Sequence, residues 1–143
     1  MKYTFPIYVP AIAIAISVIA CVIGAYLIRA KKSIKNIIIA FVVGALSGGI
    51  FAPMLAMDCV ILDDQKLEQT TGFWFAPTVK GFRLDEVSYI QIGTARDRKN
   101  REYEIWRVSY LNGQIQDIDP GDLWEINGAD IIQRLRSKGI KIQ

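Results

Sequence analysis

The chain has 143 residues, about half of them apolar, with 17 basic and 14 acidic side chains and no histidine. That length leaves room for one compact soluble domain beside a membrane anchor, and the missing imidazole excludes Ser-His and Cys-His dyads and every His-containing zinc site. Residues 1–57 hold five of the bases and no acid, while residues 58–143 hold twelve bases against fourteen acids, so the soluble part lacks the concentrated basic face that nucleic acid binding needs.

From Ile7 to Ile28 the chain runs 22 residues without a charge, and Ile37–Met57 repeats the pattern. At about 1.5 Å per residue either stretch covers a hydrocarbon core of about 30 Å. Backbone polar groups in lipid must find internal partners, so the two stretches are expected to form a helical hairpin closed by the Arg29–Asn36 loop. The first run is too long for a cleavable signal peptide and ends in basic rather than small residues, which reads as an uncleaved anchor. Val18-Ile19-Ala20-Cys21 has a faint likeness to a lipoprotein cleavage box, but apolar sequence continues through Val22 and Ile23. Cys21 and Cys59 form neither a disulfide framework nor a Cys-x-x-Cys motif.

Lys and Arg near membrane ends are retained on the cytoplasmic side. Arg29, Lys31, Lys32 and Lys35 lie in the loop, whereas Asp58, Asp63, Asp64 and Glu68 dominate the flank after the second span. The loop is therefore expected in the cytoplasm, with both termini outside. Ala40, Gly44, Gly48, Ala52 and Ala56 place a small residue at every fourth position of the second span, and Ala13, Ser17, Cys21 and Ala25 do the same on the first. Such strips let helix backbones approach closely in lipid. They serve either the hairpin itself or a homo-oligomer or partner helix. Pro53 has no N–H for the Gly49 carbonyl, which predicts a kink near the far end of the second span. Neither span contains an ionisable Asp, Glu, Lys or Arg, which argues against a transporter or channel acting alone.

Beyond Asp58 the period shortens. Val60 and Leu62, then Leu67, Gln69, Thr71 and Phe73, then Phe82 and Leu84, then Val87 through Ile92 read as strands. Ile105–Leu111 is the clearest, with Trp106, Val108 and Tyr110 on one face; Asn112-Gly113 predicts a type I′ turn into Gln114–Ile118. Asp122 with Glu125 fits a capping box, Ile131, Ile132 and Leu135 share a helical face after an Asn127-Gly128 interruption, and Gly139 fits a helix stop.

The run Gly72-Phe73-Trp74, then Phe82-Arg83-Leu84-Asp85-Glu86-Val87-Ser88-Tyr89-Ile90, a long hairpin and a closing helix resembles the bacterial pleckstrin-homology-like domains that stand beside transmembrane hairpins in bacterial membrane proteins. The likeness covers roughly residues 58–143. It implies a curled antiparallel sheet capped by a helix, with a binding or scaffolding role, although fewer strands precede Phe82 than a complete barrel of that family uses. The expected architecture is a membrane α-helical hairpin (residues 1–57) plus a small α+β, mainly antiparallel β, pleckstrin-homology-like soluble domain (residues 58–143) with a C-terminal helix.

Two segments qualify as contact sites for lipid or a partner. Arg96, Arg98, Lys99 and Arg101, with Asp97 and Asn100 between them, form a basic turn that either meets anionic head groups or is a solvated hairpin tip. The resemblance does not carry phosphoinositide binding to these positions. Trp74 and Phe75 lie between Gly72 and Pro77; with Phe73, Trp106 and Trp124 they are either core or an interfacial aromatic belt. Asp117, Asp119 and Asp122 lack the glutamate that completes a calcium loop and read as turn and cap residues. Asp63-Asp64 and Asp85-Glu86 are neighbours that point apart, unlike an acid–base pair. No catalytic residue, cofactor or metal is expected.

The leading expectation is therefore a non-enzymatic binding or scaffolding module of a bacterial cytoplasmic membrane, serving as an accessory or assembly subunit. Membrane lipid and a membrane protein partner or second copy are its expected contacts. Two alternatives stand: a sensor of anionic lipid or envelope state, and a subunit of a membrane enzyme or transporter.

Overall fold

The computed structural model describes residues 1–96 and 98–143. Two long helices, α1 (Tyr8–Arg29) and α2 (Ile34–Met57), form an antiparallel hairpin. Their connection is shorter than the expected Arg29–Asn36 loop, because α2 already starts at Ile34 and takes Lys35 and Asn36 into its first turn. The reversal is made at Lys31, whose φ of 51° is left-handed, and the Lys31 and Lys32 amides donate to the Ile28 and Leu27 carbonyls. Just before Pro53, α2 widens into a π-helical turn over Ser47–Phe51, where the Ala52 amide donates to the Ser47 carbonyl. An inserted π turn is one way a helix absorbs a missing N–H without breaking.

The remaining elements form two four-stranded sheets. The first contains β1 (Lys2–Thr4), β2 (Cys59–Leu62), β3 (Lys66–Phe73) and β4 (Ala76–Arg83), in the order β1-β2-β3-β4. The second contains β5 (Val87–Arg96), β6 (Glu102–Tyr110), β7 (Ile115–Ile118) and β8 (Lys141–Ile142), in the order β7-β6-β5-β8. β5, β6 and β7 pair antiparallel, whereas β8 joins β5 in parallel. Two short helices, α3 (Asp122–Ile126) and α4 (Gly128–Ser137), precede β8.

Contacts divide the chain into two compact units, one of Thr4–Asp58 with Gly72–Pro77, the other of Met1–Tyr3, Cys59–Thr71 and Thr78–Gln143. The division therefore departs from a cut after residue 57 at two places. The strand β1, which precedes the hairpin in the chain, pairs beside β2, and the Leu62 amide donates to the Met1 carbonyl at 2.9 Å. The tip of the β3–β4 hairpin, in turn, packs with the helices.

The α+β unit has a core in which Val60, Leu67, Ile90, Trp106, Val108, Trp124, Ile131 and Leu135 are fully buried. Alternation supplies it: Val60 and Leu62 point inward from β2, Leu67 and Gln69 from β3, Trp106 and Val108 from β6. Ile131 and Leu135 meet it from one face of α4, as the i, i+4 spacing requires. Gln69, 1% exposed, escapes an unmet polar burial because its Oε1 accepts the Gly121 amide at 3.0 Å.

Two local expectations are corrected. Asn112 is not in the left-handed region a type I′ turn requires; only Gly113 is, at φ 85°. The Gly113 amide donates to the Tyr110 carbonyl and the Tyr110 amide to the Gln114 carbonyl, which is the three-residue loop with a glycine bulge. Asp122 is the first residue of α3 rather than its cap: the cap is Gly121, and no side chain bonds there. The closing helix is split at the expected Asn127-Gly128 interruption: Asn127 turns at the junction and its Nδ2 donates back to the Leu123 carbonyl. The stop at Gly139 is as expected, with φ 86° and the Ile140 amide returning to the Leu135 carbonyl.

β3 and β4 approach so closely at Gly81 that an added Cβ would lie 2.2 Å from the Leu67 carbonyl oxygen and 2.8 Å from Glu68 Cα. Both neighbours are backbone and cannot rotate away. Gly81→Ala is expected to destabilise the α+β unit by about 1–3 kcal/mol, as for an overpacked core. Thermal unfolding of the full chain in detergent checks this; an unchanged midpoint is the contrary result.

Candidate functional site

The helical unit is built on small residues, though not on the strict four-residue strip. Four residues turn an α-helix by about 400°, so such a strip drifts around the axis and only part of it can face one partner. On α1 the contact runs through Ala13, Ser17, Ala20 and Gly24, leaving Cys21 and Ala25 exposed. On α2 it runs through Gly44, Ser47, Gly48 and Ala52, with Ala40 half-buried and Ala56 exposed. A Cβ on Gly44 would lie 3.1 Å from Cys21 Sγ, and one on Gly48 would lie 2.5 Å from Ser17 Oγ. At least the central part of both strips is thus occupied by the hairpin itself.

Two serines lock this contact. Ser17 Oγ donates to the Gly44 carbonyl at 2.8 Å and Ser47 Oγ to the Ala13 carbonyl at 2.7 Å. Each hydroxyl crosses to the other helix's backbone, which is how polar side chains hold helices where water is absent. Neither serine pairing was foreseen, because a lone serine in an apolar run carries no periodic signal.

The outer faces are unlike those of a core helix. Only 11% of the most apolar stretch of α1, and 17% of that of α2, is buried. Ile12, Ile14, Val18, Ile19 and Val22 are each more than half exposed, far beyond the apolar patches that soluble monomers tolerate. Both helices are long and apolar enough to cross a membrane. Arg29, Lys31, Lys32 and Lys35 all stand exposed around the turn that joins them.

The aromatic segment splits as its burial dictates. Trp106 and Trp124 are core, meeting edge to face with centroids 5.1 Å apart. Phe73, Trp74 and Phe75 are 46%, 50% and 62% exposed at the β3–β4 tip. There Phe73 and Phe75 stack at 5.3 Å and Trp74 meets Phe75 edge-on at 5.4 Å. The Trp74 indole N–H donates to the Gly49 carbonyl at 3.2 Å. Gly49 is the residue four before Pro53, so the tip supplies a donor to the carbonyl that proline cannot reach.

The basic turn joins β5 to β6. Arg96 lies opposite Glu102 in the ladder and donates to its Oε1 from Nε and Nη2, at 3.0 and 2.5 Å. Arg98, Lys99 and Arg101 are exposed, Asn100 is left-handed at φ 60°, and Asp97 lies outside the described residues. Arg101 shares an open depression with Glu102, Tyr103 and Asp119, so the surface there is of mixed charge. The basic turn and the aromatic tip belong to different units.

The acidic residues are taken up singly. Arg107 pairs with Asp117 at 2.8 Å and holds its carboxyl below the usual carboxylate range. The Asp119 carboxylate lies 3.7 Å from Lys80. Asp63 Oδ1 accepts the Gln65 and Lys66 amides, which lower its pKa, and Arg83 reaches both Asp85 and Glu86. Among the described residues no three acids or cysteines gather as a metal site. A further cluster went unforeseen: the Tyr3 hydroxyl donates to Asp130 Oδ2 at 2.5 Å and Arg134 Nε to the same oxygen at 2.8 Å. Arg134 and then Tyr3 lower the Asp130 pKa, while burial and the adjacent carboxylate raise that of Tyr3. The cluster ties β1 to α4.

Set against protein-family models, curated proteins and solved structures, the chain matches none of them.

Proposed function

We propose that the protein is a non-enzymatic, membrane-anchored binding module. The α1–α2 hairpin spans the bilayer, and the α+β unit engages a membrane protein partner at its surface. The observation that carries this reading is the way the two parts are joined. Three residues, Phe5-Pro6-Ile7, connect β1 to α1, and Asp58 alone connects α2 to β2. With no tether on either side, a domain whose sheet is entered once before the hairpin and once after it stays at the bilayer face. That suits recognition of a neighbour in the same membrane.

Two mostly antiparallel sheets and a closing helix support the pleckstrin-homology-like reading of the α+β unit. The strand lacking before Phe82 is then supplied by β1, from the other side of the hairpin in the chain. The four cations around the Ala30–Ser33 turn support a cytoplasmic loop with both termini outside a bacterial inner membrane. Direct sensing of anionic lipid through the basic turn is the weaker reading, because Glu102 already engages Arg96 and Asp119 lines the same depression as Arg101.

Alkaline carbonate washing of vesicles, followed by affinity purification of the natively expressed chain in mild detergent, tests both halves. The chain is expected to stay in the pellet and then to elute with a membrane protein in fixed ratio. Release by carbonate removes the anchor; elution alone removes the binding role.

A further inference from the structure

The geometry points to a third membrane-contacting element beside the two helices: the tip of the β3–β4 hairpin, with Phe73, Trp74 and Phe75 seated in the lipid. This rests on the reading of α1 and α2 as membrane spans.

Three observations on different links of the chain converge. From Gln69 to Val79 the sequence carries no charge, with Glu68 and Lys80 standing at either end. The aromatic side chains of that stretch are about half exposed and pack on one another rather than into a core. The segment also groups with the helices, through the Trp74 indole N–H on the Gly49 carbonyl at 3.2 Å.

That hydrogen bond sets the depth. Gly49 lies eight residues before the end of α2 at Met57, roughly 12 Å along a helix. α2 has 24 residues, about 36 Å against a hydrocarbon core of about 30 Å. With α2 centred on the core, Gly49 therefore lies roughly 9 Å inside the hydrocarbon boundary, so the apolar bodies of the tip rings sit in lipid while the indole N–H stays engaged. In water a carbonyl that Pro53 cannot serve would simply be solvated. In lipid it must be met by the protein, and the indole meets it.

The occupant of this surface is thus the bilayer itself. The test uses the full chain with Cys21→Ser and Cys59→Ser, reconstituted in phosphatidylcholine and phosphatidylglycerol vesicles. Nitroxide labels are attached at Phe75→Cys or Phe73→Cys on the tip, at Ile14→Cys on the exposed face of α1, and at Ser88→Cys on β5. Relaxation by oxygen, which collects in lipid, is compared with relaxation by a water-soluble nickel chelate. Both tip labels are expected to favour oxygen, as the Ile14→Cys label does, while the Ser88→Cys label favours the chelate. Tip labels that follow Ser88→Cys while Ile14→Cys keeps its oxygen preference overturn this proposal and leave the spans standing. Chelate preference at Ile14→Cys as well removes the membrane reading, and this inference with it.

Discussion

Trp124→Ala is expected to cost the α+β unit about 3–5 kcal/mol, the range for deleting a large buried aromatic. Trp124 is fully buried, sits edge-on to Trp106 at 5.1 Å, and reaches Phe82 from α3 with a centroid separation of 6.2 Å. It therefore links three elements, β4, β6 and α3, that have no other aromatic in common. Domains of this size are stable by only about 5–15 kcal/mol, so the variant should be substantially unfolded at mild temperature. Trp124→Phe provides the control. Among the described residues the Trp124 indole N–H finds no hydrogen-bond partner, so phenylalanine removes an unmet donor while keeping most of the ring, and its loss should be much smaller. Near-ultraviolet circular dichroism and denaturant unfolding of both variants in detergent read the difference. Equal losses would mean that the ring's size, rather than its bridging contacts, sets the stability.

What the amino-acid pattern reveals depends on how many residues carry each signal. The spans need about twenty apolar positions apiece, and β5 and β6 pair over nine registers from Val87↔Tyr110 to Arg96↔Glu102; signals that long are read directly. β1 has three residues and β8 has two, too few to show alternation, and each is a strand only because a longer one lies alongside. β1 is harder still, since the whole hairpin separates it from β2. The loop at Asn112-Gly113 shows a different limit: the dipeptide marks the reversal, but whether one or two residues turn left-handed is decided by the pairing of Tyr110 with Gln114.

The contact sites divide along the same line. Burial separates the five aromatics cleanly, because Trp106 and Trp124 sit on alternating or helical core positions while Phe73, Trp74 and Phe75 are consecutive at a hairpin tip. Three consecutive residues cannot all face one side of a strand. The basic turn is found where its residues place it, between two strands, but its charge is set by Glu102, whose position opposite Arg96 depends on register. The link from Trp74 to Gly49 joins a missing donor in one element to a spare one in another, and no spacing rule connects residues 49 and 74.

The helical hairpin allows a direct chemical check that also separates contact within one chain from contact between copies. A Cβ on Gly44 would stand 3.1 Å from Cys21 Sγ, close to the roughly 3 Å between a Cβ and the far sulfur that disulfide geometry gives. Gly44→Cys, with Cys59→Ser, is therefore expected to oxidise to a disulfide with Cys21 inside a single chain, seen as monomer on a non-reducing gel and by protection from thiol labelling. A disulfide-linked dimer would instead place these strips between copies and overturn the hairpin packing. Adding Gly48→Leu should abolish the internal cross-link, because its Cβ alone would fall 2.5 Å from Ser17 Oγ and 2.9 Å from Ser17 Cβ. Ser17 cannot yield without giving up its bond to the Gly44 carbonyl, and in lipid no water replaces that partner. The leucine thus costs contact and hydrogen bond together.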